Sequence, residues 1–406
     1  PHDWSIEDLP ETGSPFSHDA ISQVSGGFTT GGTGWYRKEL ELPGLLQGNI
    51  LRILFEGVYM NAEVYLNGQR LGVHPYGYTS FWFDITPYVR FGEKNILAVK
   101  VRNEGENSRW YSGSGIYRHV WLIASDPVHF DIWGTAITTP AVNDETATVR
   151  VSSRVLQMGK KTSEVRMTIT LLNPSSAEVA RRETAVSVSP GDTSVMEQEV
   201  DVPVPMLWEP DHPSLYTAKI ELFRDGQPSD AETIPFGIRT LSFSATQGFL
   251  LNNRPLKMKG GCFHHDNGPL GAKAYDRAEE RKVELLKASG FNAVRCSHNP
   301  PSPAFLDACD RLGMLVMDEA FDMWGQEKNP ADYHLYFGNW WKRDLENMVV
   351  RDRNHPSVVL WSIGNEIPNR HTREVVAVAA ELASFVRKLD PTRPVTSAVN
   401  DLKPDK

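Results

Sequence analysis

The segment Asp352-Arg-Asn-His-Pro-Ser-Val-Val-Leu-Trp-Ser-Ile-Gly-Asn365-Glu366 constrains the fold of this chain more than any other. Val358, Val359, Leu360, Trp361 and Ile363 make a short, nearly continuous apolar run, the pattern of a strand covered on both faces. Such strands belong to parallel sheets flanked by helices. His355-Pro356 closes the preceding helix, because the residue before a proline is pushed out of the helical region. In parallel α/β folds the reacting groups gather at the carboxyl ends of strands, and Asn365-Glu366 stands just past one. Glu366 is therefore the first candidate for a working carboxylate.

Residues 245–406 repeat that grammar. Asp276-Arg-Ala-Glu279 reads as a capping box opening a helix with Val283, Leu285 and Leu286 on its apolar face and Gly290 as its stop. Strands are expected near Leu256–Gly260, at Phe291–Cys296, Met314–Glu319, Val358–Ile363 and Pro394–Val399, with helices at Ala304–Leu312, Trp340–Asp352 and Arg373–Leu389 between them. Strands alternating with helices imply a parallel sheet. No glycine-rich phosphate loop follows the first strand, which argues against a nucleotide-binding fold. Polar residues at each strand's carboxyl end fit the first half of an eight-stranded (β/α)8 barrel.

The earlier chain is β-rich. Within 1–126, the strands Trp35–Leu42, Leu51–Phe55, Ala62–Leu66, Arg70–Val73, Ile96–Val101 and His119–Ile123 alternate apolar and polar residues, and Asn67-Gly68 signals a two-residue hairpin turn. Within 127–244, Thr146–Val155, Val165–Leu172, Thr193–Val200 and Tyr216–Phe223 read as strands of a sandwich of immunoglobulin size.

Bulk composition excludes several functions. The net charge of −9 comes from 42 basic and 51 acidic residues without long single-sign runs, so neither nucleic acid nor an anionic membrane is an expected partner. Cys262, Cys296 and Cys309 show no metal-ligand or CxxC spacing and read as reduced core residues. The chain begins at Pro1 without an initiator Met or a signal-peptide pattern, as expected of a processed or trimmed N-terminus. A bacterial periplasmic or secreted location is expected over a cytoplasmic one.

The groups just beyond the expected strands are His264, His265 and Asp266; Arg295, His298 and Asn299; Asp318 and Glu319; and Asn365 and Glu366. A mouth of histidine, amide, guanidinium and carboxylate ringed by Trp324, Trp340, Trp341 and Trp361 suits a sugar, whose hydroxyls need donors and acceptors while its C–H faces stack on aromatics.

Two motifs carry a family resemblance. Asn292-Ala-Val-Arg295-Cys-Ser-His298-Asn299-Pro300, running on to Cys309-Asp-Arg-Leu-Gly-Met-Leu-Val-Met-Asp318-Glu319, resembles the first signature of glycoside hydrolase family 2, the family of β-galactosidases, β-glucuronidases and β-mannosidases. Asn354-His-Pro-Ser-Val-Val-Leu-Trp-Ser-Ile-Gly-Asn365-Glu366 resembles its acid/base signature. Ser114-Gly-Ile-Tyr-Arg118 is similar to part of the family's sugar-binding jelly roll, and Phe236-Gly-Ile-Arg239 to the exit from its immunoglobulin-like domain. The resemblance implies jelly roll (1–126), sandwich (127–244) and the N-terminal part of a TIM barrel (245–406), with Glu366 as general acid/base, Asn365 on the sugar 2-hydroxyl, and His264, Arg295 and His298 lining the terminal-sugar subsite. Metal-dependent galactosidases of the family carry a Glu and a His where this chain has Met323 and Gly325, so no magnesium or other cofactor is expected. Where some galactosidases send an aspartate from the first domain to the sugar, this chain has Asn107-Ser-Arg-Trp110.

The expected activity is a retaining exo-β-glycosidase, most like a β-galactosidase, with β-glucuronidase, β-mannosidase or a noncatalytic carbohydrate-binding protein as alternatives. Its partner is a carbohydrate, and the full-length protein is a candidate homo-oligomer. Retaining hydrolysis needs a second carboxyl about 5–5.5 Å from the first. Burial beside Trp361 and a neighbouring carboxylate is expected to keep Glu366 protonated. Asp318 and Glu319 are expected to be structural, the resemblance assigning the nucleophile to a later strand. A closed barrel takes about 250 residues, whereas 157 follow Phe249. The nucleophile is therefore expected beyond residue 406.

Overall fold

A computed structural model of the chain describes residues 1–10 and 12–400. It contains two β-sandwiches followed by a half-barrel, and residues 401–406 of the expected barrel portion lie outside the description. The first sandwich packs the sheet 32–41, 94–103, 62–66, 69–74 against the sheet 81–84, 50–55, 120–125 over a core that includes Leu51, Phe55, Val64, Phe81 and Val99. Asn67 and Gly68 take φ of 51° and 81°, the left-handed pair that a tight hairpin needs. The second packs 178–188, 163–172, 216–224, 227–236 against 193–203, 146–157, 128–142, with Val149, Val165, Ile169 and Ile220 between them.

In the last portion β1 (Gly260–Phe263), β2 (Ala293–Cys296), β3 (Leu315–Glu319), β4 (Val358–Asn365) and β5 (Val395–Ala398) form one parallel sheet in sequence order. Helices α1 (Asp276–Ala288), α2 (Pro303–Leu312), α3 (His334–Asp352) and α4 (Arg373–Leu389) cross between them. Sequential order is that of a barrel. No described helix is long and apolar enough to cross a membrane.

Two local expectations need correction. The first barrel strand is Gly260–Phe263, a few residues later than expected, because Leu256 and Met258 pack around Trp208 at the amino end of the sheet. Asp276 is not a cap: Tyr275 holds that place without a side-chain bond, Asp276 meets His119 at 2.7 Å, and buried Glu279 bonds Asn267, Lys282 and Ser302. Tertiary partners have taken both ends of the box.

The family-like motifs are docking elements. Arg118 donates to the carbonyls of Tyr78 and Pro300 at 2.9 Å each, fastening the jelly roll to the loop after β2. Arg239 donates to the carbonyls of Pro356 and Val358 at 2.6 and 2.8 Å, fixing the entry of β4.

Candidate active site

Side chains alternate across a strand, and this alternation decides what each strand end does. Arg295, Met317, Glu319, Leu360 and Ser362 share the face away from the helices, whereas Val294, Val316, Asp318 and Trp361 face the helices. Asp318 is completely buried on the helix side, where desolvation and Asp352 raise its carboxyl well above the ordinary range. Glu319, its neighbour, points the other way.

Glu319 is also completely buried, capped by donors. Arg295 Nε and Nη2 donate to it at 3.0 and 2.8 Å, His298 Nδ1 at 2.7 Å and Ser362 Oγ at 2.6 Å. Both carboxyls are shut off from solvent. Arg295 reaches on to Asn365 Oδ1 at 2.7 Å.

Asn365 ends β4 with its amide held on both sides. Its Nδ2 donates to Asp322 Oδ1 at 2.7 Å, which leaves one amide hydrogen for a substrate hydroxyl. Asp322 itself is buried. Desolvation pushes its carboxyl up, but bonds from Arg109 (3.0 and 2.6 Å) and Lys328 (2.8 Å) outweigh this and hold it below the usual range.

Glu366 departs from expectation. Its side chain is 44 % exposed, and among the described residues its ion-pair partner is Arg109, whose Nη1 lies 3.9 Å from Oε2. Trp361 cannot bury it, because that ring faces the helices and donates Nε1 to Asp390 at 2.8 Å. A φ of +43° at Glu366 turns the chain away from the sheet. The acid thus stands in the open mouth beside the Asn365 amide.

The expected tryptophan ring is also corrected. Trp324, Trp341 and Trp361 are buried in the core, Trp324 under Gly364, and Trp340 packs edge-on against His74. The tryptophan at the mouth is Trp110 of the jelly roll, its ring centred 5.0 Å from His264 and 5.5 Å from His298. Arg109, Trp110, Asp322 and Lys328 were not among the candidates drawn from the sequence. The one signal was that Asn107–Trp110 lies near the place from which some galactosidases of the family send an aspartate to the sugar. His264 is half-buried, and desolvation with His298 alongside keeps it below the ordinary imidazole range. His265 turns away to the carbonyl of Ser112 at 2.9 Å, and burial pushes it down to about 4. Asn299 is buried and bonds the Ser297 carbonyl.

Met323 is buried and apolar and Gly325 has no side chain, so neither offers a metal ligand. Asp307, Asp310 and His355 come together elsewhere, where Asp310 already accepts from His355 and the Ser357 N–H. Cys296 and Cys309 are buried thiols, but Cys262 is exposed on the face away from the helices. There Cys262, Met317 and Leu360 line a trough of about 270 Å³ that no described element covers.

Three family profiles match this architecture in order: the sugar binding domain of glycosyl hydrolases family 2 at residues 21–126, the family 2 domain at 129–239, and the family 2 TIM barrel domain at 245–405. The chain belongs to glycoside hydrolase family 2. It is similar to the β-galactosidase BoGH2A of Bacteroides ovatus, 44 % identical over 99 % of this chain and 50 % of that protein. A putative β-glucuronidase of Formosa agariphila is 38 % identical over 99 % of this chain and 37 % of that protein. Among solved structures, a family 2 member from Bacteroides cellulosilyticus superposes with a TM-score of 0.98 and 52 % identity, covering all of this chain and 52 % of that one. A Bacteroides uniformis β-glucuronidase superposes at 0.84 with 29 % identity, over 98 % and 48 %. The chain spans about half the length, or less, of the relatives it matches.

Proposed function

We propose that residues 1–406 form the acid/base half of a retaining exo-β-glycosidase acting on terminal β-galactosides. The observation that carries this reading is the end of β4: Asn365 is pinned by Arg295 and Asp322, while Glu366 beside it stays open to substrate. Glu366 protonates the departing glycosidic oxygen as a second carboxylate attacks the anomeric carbon. It then removes a proton from the water that releases the sugar. Asn365 Nδ2 meets the 2-hydroxyl, and His264, Arg295 and His298 build the wall of the terminal-sugar subsite with Trp110.

The second carboxylate belongs, on this reading, to barrel strands that would cover the open trough along Cys262, Met317 and Leu360. Residues 1–406 alone should then turn over no glycoside. A neutral sugar is favoured because the cations of the mouth are matched: Arg109 and Lys328 flank Asp322 and Glu366, and Arg295 is bound to Glu319. The names of the relatives support β-glucuronidase as the second reading. The test is to assay chromogenic β-galactoside, β-glucuronide and β-mannoside side by side with the complete polypeptide. Dominant turnover of the galactoside is expected; dominant turnover of the glucuronide or mannoside replaces the sugar, and turnover of none favours a binding protein.

A further inference from the structure

Glu366 occupies the left-handed region at φ +43°, a conformation that is unfavourable for a residue with a side chain. Its surroundings hold it there. The Asn365 N–H donates to the Phe321 carbonyl at 3.0 Å and the Glu366 N–H to the Ala398 carbonyl at 2.8 Å. The Asn365 carbonyl, on the same peptide unit as the Glu366 N–H, accepts from Lys328 Nζ at 2.7 Å.

Lys328 comes from the loop between β3 and α3, and its side chain is only 9 % exposed. That loop is moored to the jelly roll: Asn329 Nδ2 donates to the Ser108 carbonyl at 2.7 Å and the Ala331 N–H to the Glu106 carbonyl at 2.9 Å. Lys328 also donates to Asp322 Oδ1 at 2.8 Å, but without it Asp322 keeps both bonds from Arg109 and Asn365 Oδ1 keeps Arg295. Among the described residues, what Lys328 alone supplies is the donor to the carbonyl of the peptide that aims Glu366.

Resting on the acid/base role of Glu366, we propose that Lys328 is its positioning residue, fixing the Asn365–Glu366 peptide so that the carboxyl faces the glycosidic oxygen. A misaimed proton donor costs rate in proportion to the basicity of the leaving group. In the complete polypeptide, Lys328→Met should therefore lower kcat for an alkyl glycoside of the accepted sugar by about tenfold or more, and for its dinitrophenyl glycoside by less than about threefold, with KM for both little changed. Lys328→Arg, which keeps a charged donor, should recover most of the loss. Independently of turnover, the three-bond HN–Hα coupling of Glu366 in the 406-residue chain should leave its left-handed value in Lys328→Met and keep it in Lys328→Arg. A melting curve identifies a Lys328→Met protein that fails to fold, and the arginine variant then decides through its kinetics and coupling. Equal losses on both glycosides, a loss confined to KM, or an unmoved coupling in a folded Lys328→Met protein would overturn the assignment. Equal losses on both glycosides in Glu366→Gln would instead overturn the acid/base role itself, whatever Lys328 does.

Discussion

The ends of β3 and β4 each present a glutamate, and the two glutamates live in opposite surroundings. Glu319 is completely buried, with Arg295, His298 and Ser362 all donating to it. Glu366 is 44 % exposed, and among the described residues the cation that pairs with it is Arg109, at 3.9 Å. A carboxylate that accepts from every side organises its donors and has no freedom to pass a proton to a substrate. One with open oxygens, beside a fixed amide, can. Strand-end position nominates a catalytic acid; the donors around it decide whether it is one.

The largest effect that sharpens this contrast is on folding. Glu319→Ala leaves Arg295 and His298 without their buried acceptor and should destabilise the chain by about 3–5 kcal/mol, read by urea denaturation. Glu366→Ala should shift the same midpoint little. Equal stability losses in the two variants would erase the distinction.

Next come the donors that Glu319 organises. Arg295→Ala and His298→Ala should each lower kcat/KM of the complete polypeptide by the equivalent of about 1–3 kcal/mol, the cost of leaving buried polar partners unpaired. Full activity at unchanged stability in both would separate the Glu319 network from the sugar site.

How much of this was legible follows from which interactions are local. The β4 run, its Asn365-Glu366 end, the α4 span Arg373–Leu389 and the Asn67-Gly68 turn were readable because burial on both faces, helical period and turn chemistry leave marks within a few residues. The strands Glu178–Val188 and Gln227–Phe236 were not, since both lie at the edges of their sheet and are largely exposed, and the second carries Pro228 and Pro235. The Asp276–Glu279 box failed because His119 and Ser302, far away in sequence, bind those side chains. Arg109 and Trp110 escaped for the same reason: nothing local in Asn107–Trp110 shows that the jelly roll inserts them into the barrel mouth. The open placement of Glu366 depends on the direction taken after Asn365, a matter of backbone geometry that residue type does not encode.

The smallest predicted effect probes the amino end of β4, where His355 meets Asp310 at 2.6 Å. Burial opposes the imidazolium, but Asp310 outweighs it and raises His355 to about 9. A raised folded pKa means stability that is full below the unfolded histidine value near 6.5 and is lost as pH rises through about 9. Asp310→Asn should therefore remove about 1–2 kcal/mol of stability at pH 6, and less at pH 10. An equal loss at both pH values would mean that the pair contributes no charge-dependent stability.

The central claim, that Glu366 is the proton donor, is tested most directly by pre-steady-state kinetics of Glu366→Gln in the complete polypeptide. A dinitrophenyl glycoside needs no acid to depart, so its burst of released phenol should persist, while release from an alkyl glycoside should fall by about 10²–10⁴-fold, the range of general acid catalysis. Equal loss of the first step on both substrates would contradict the assignment and return the search for the acid to the other carboxylates of the mouth.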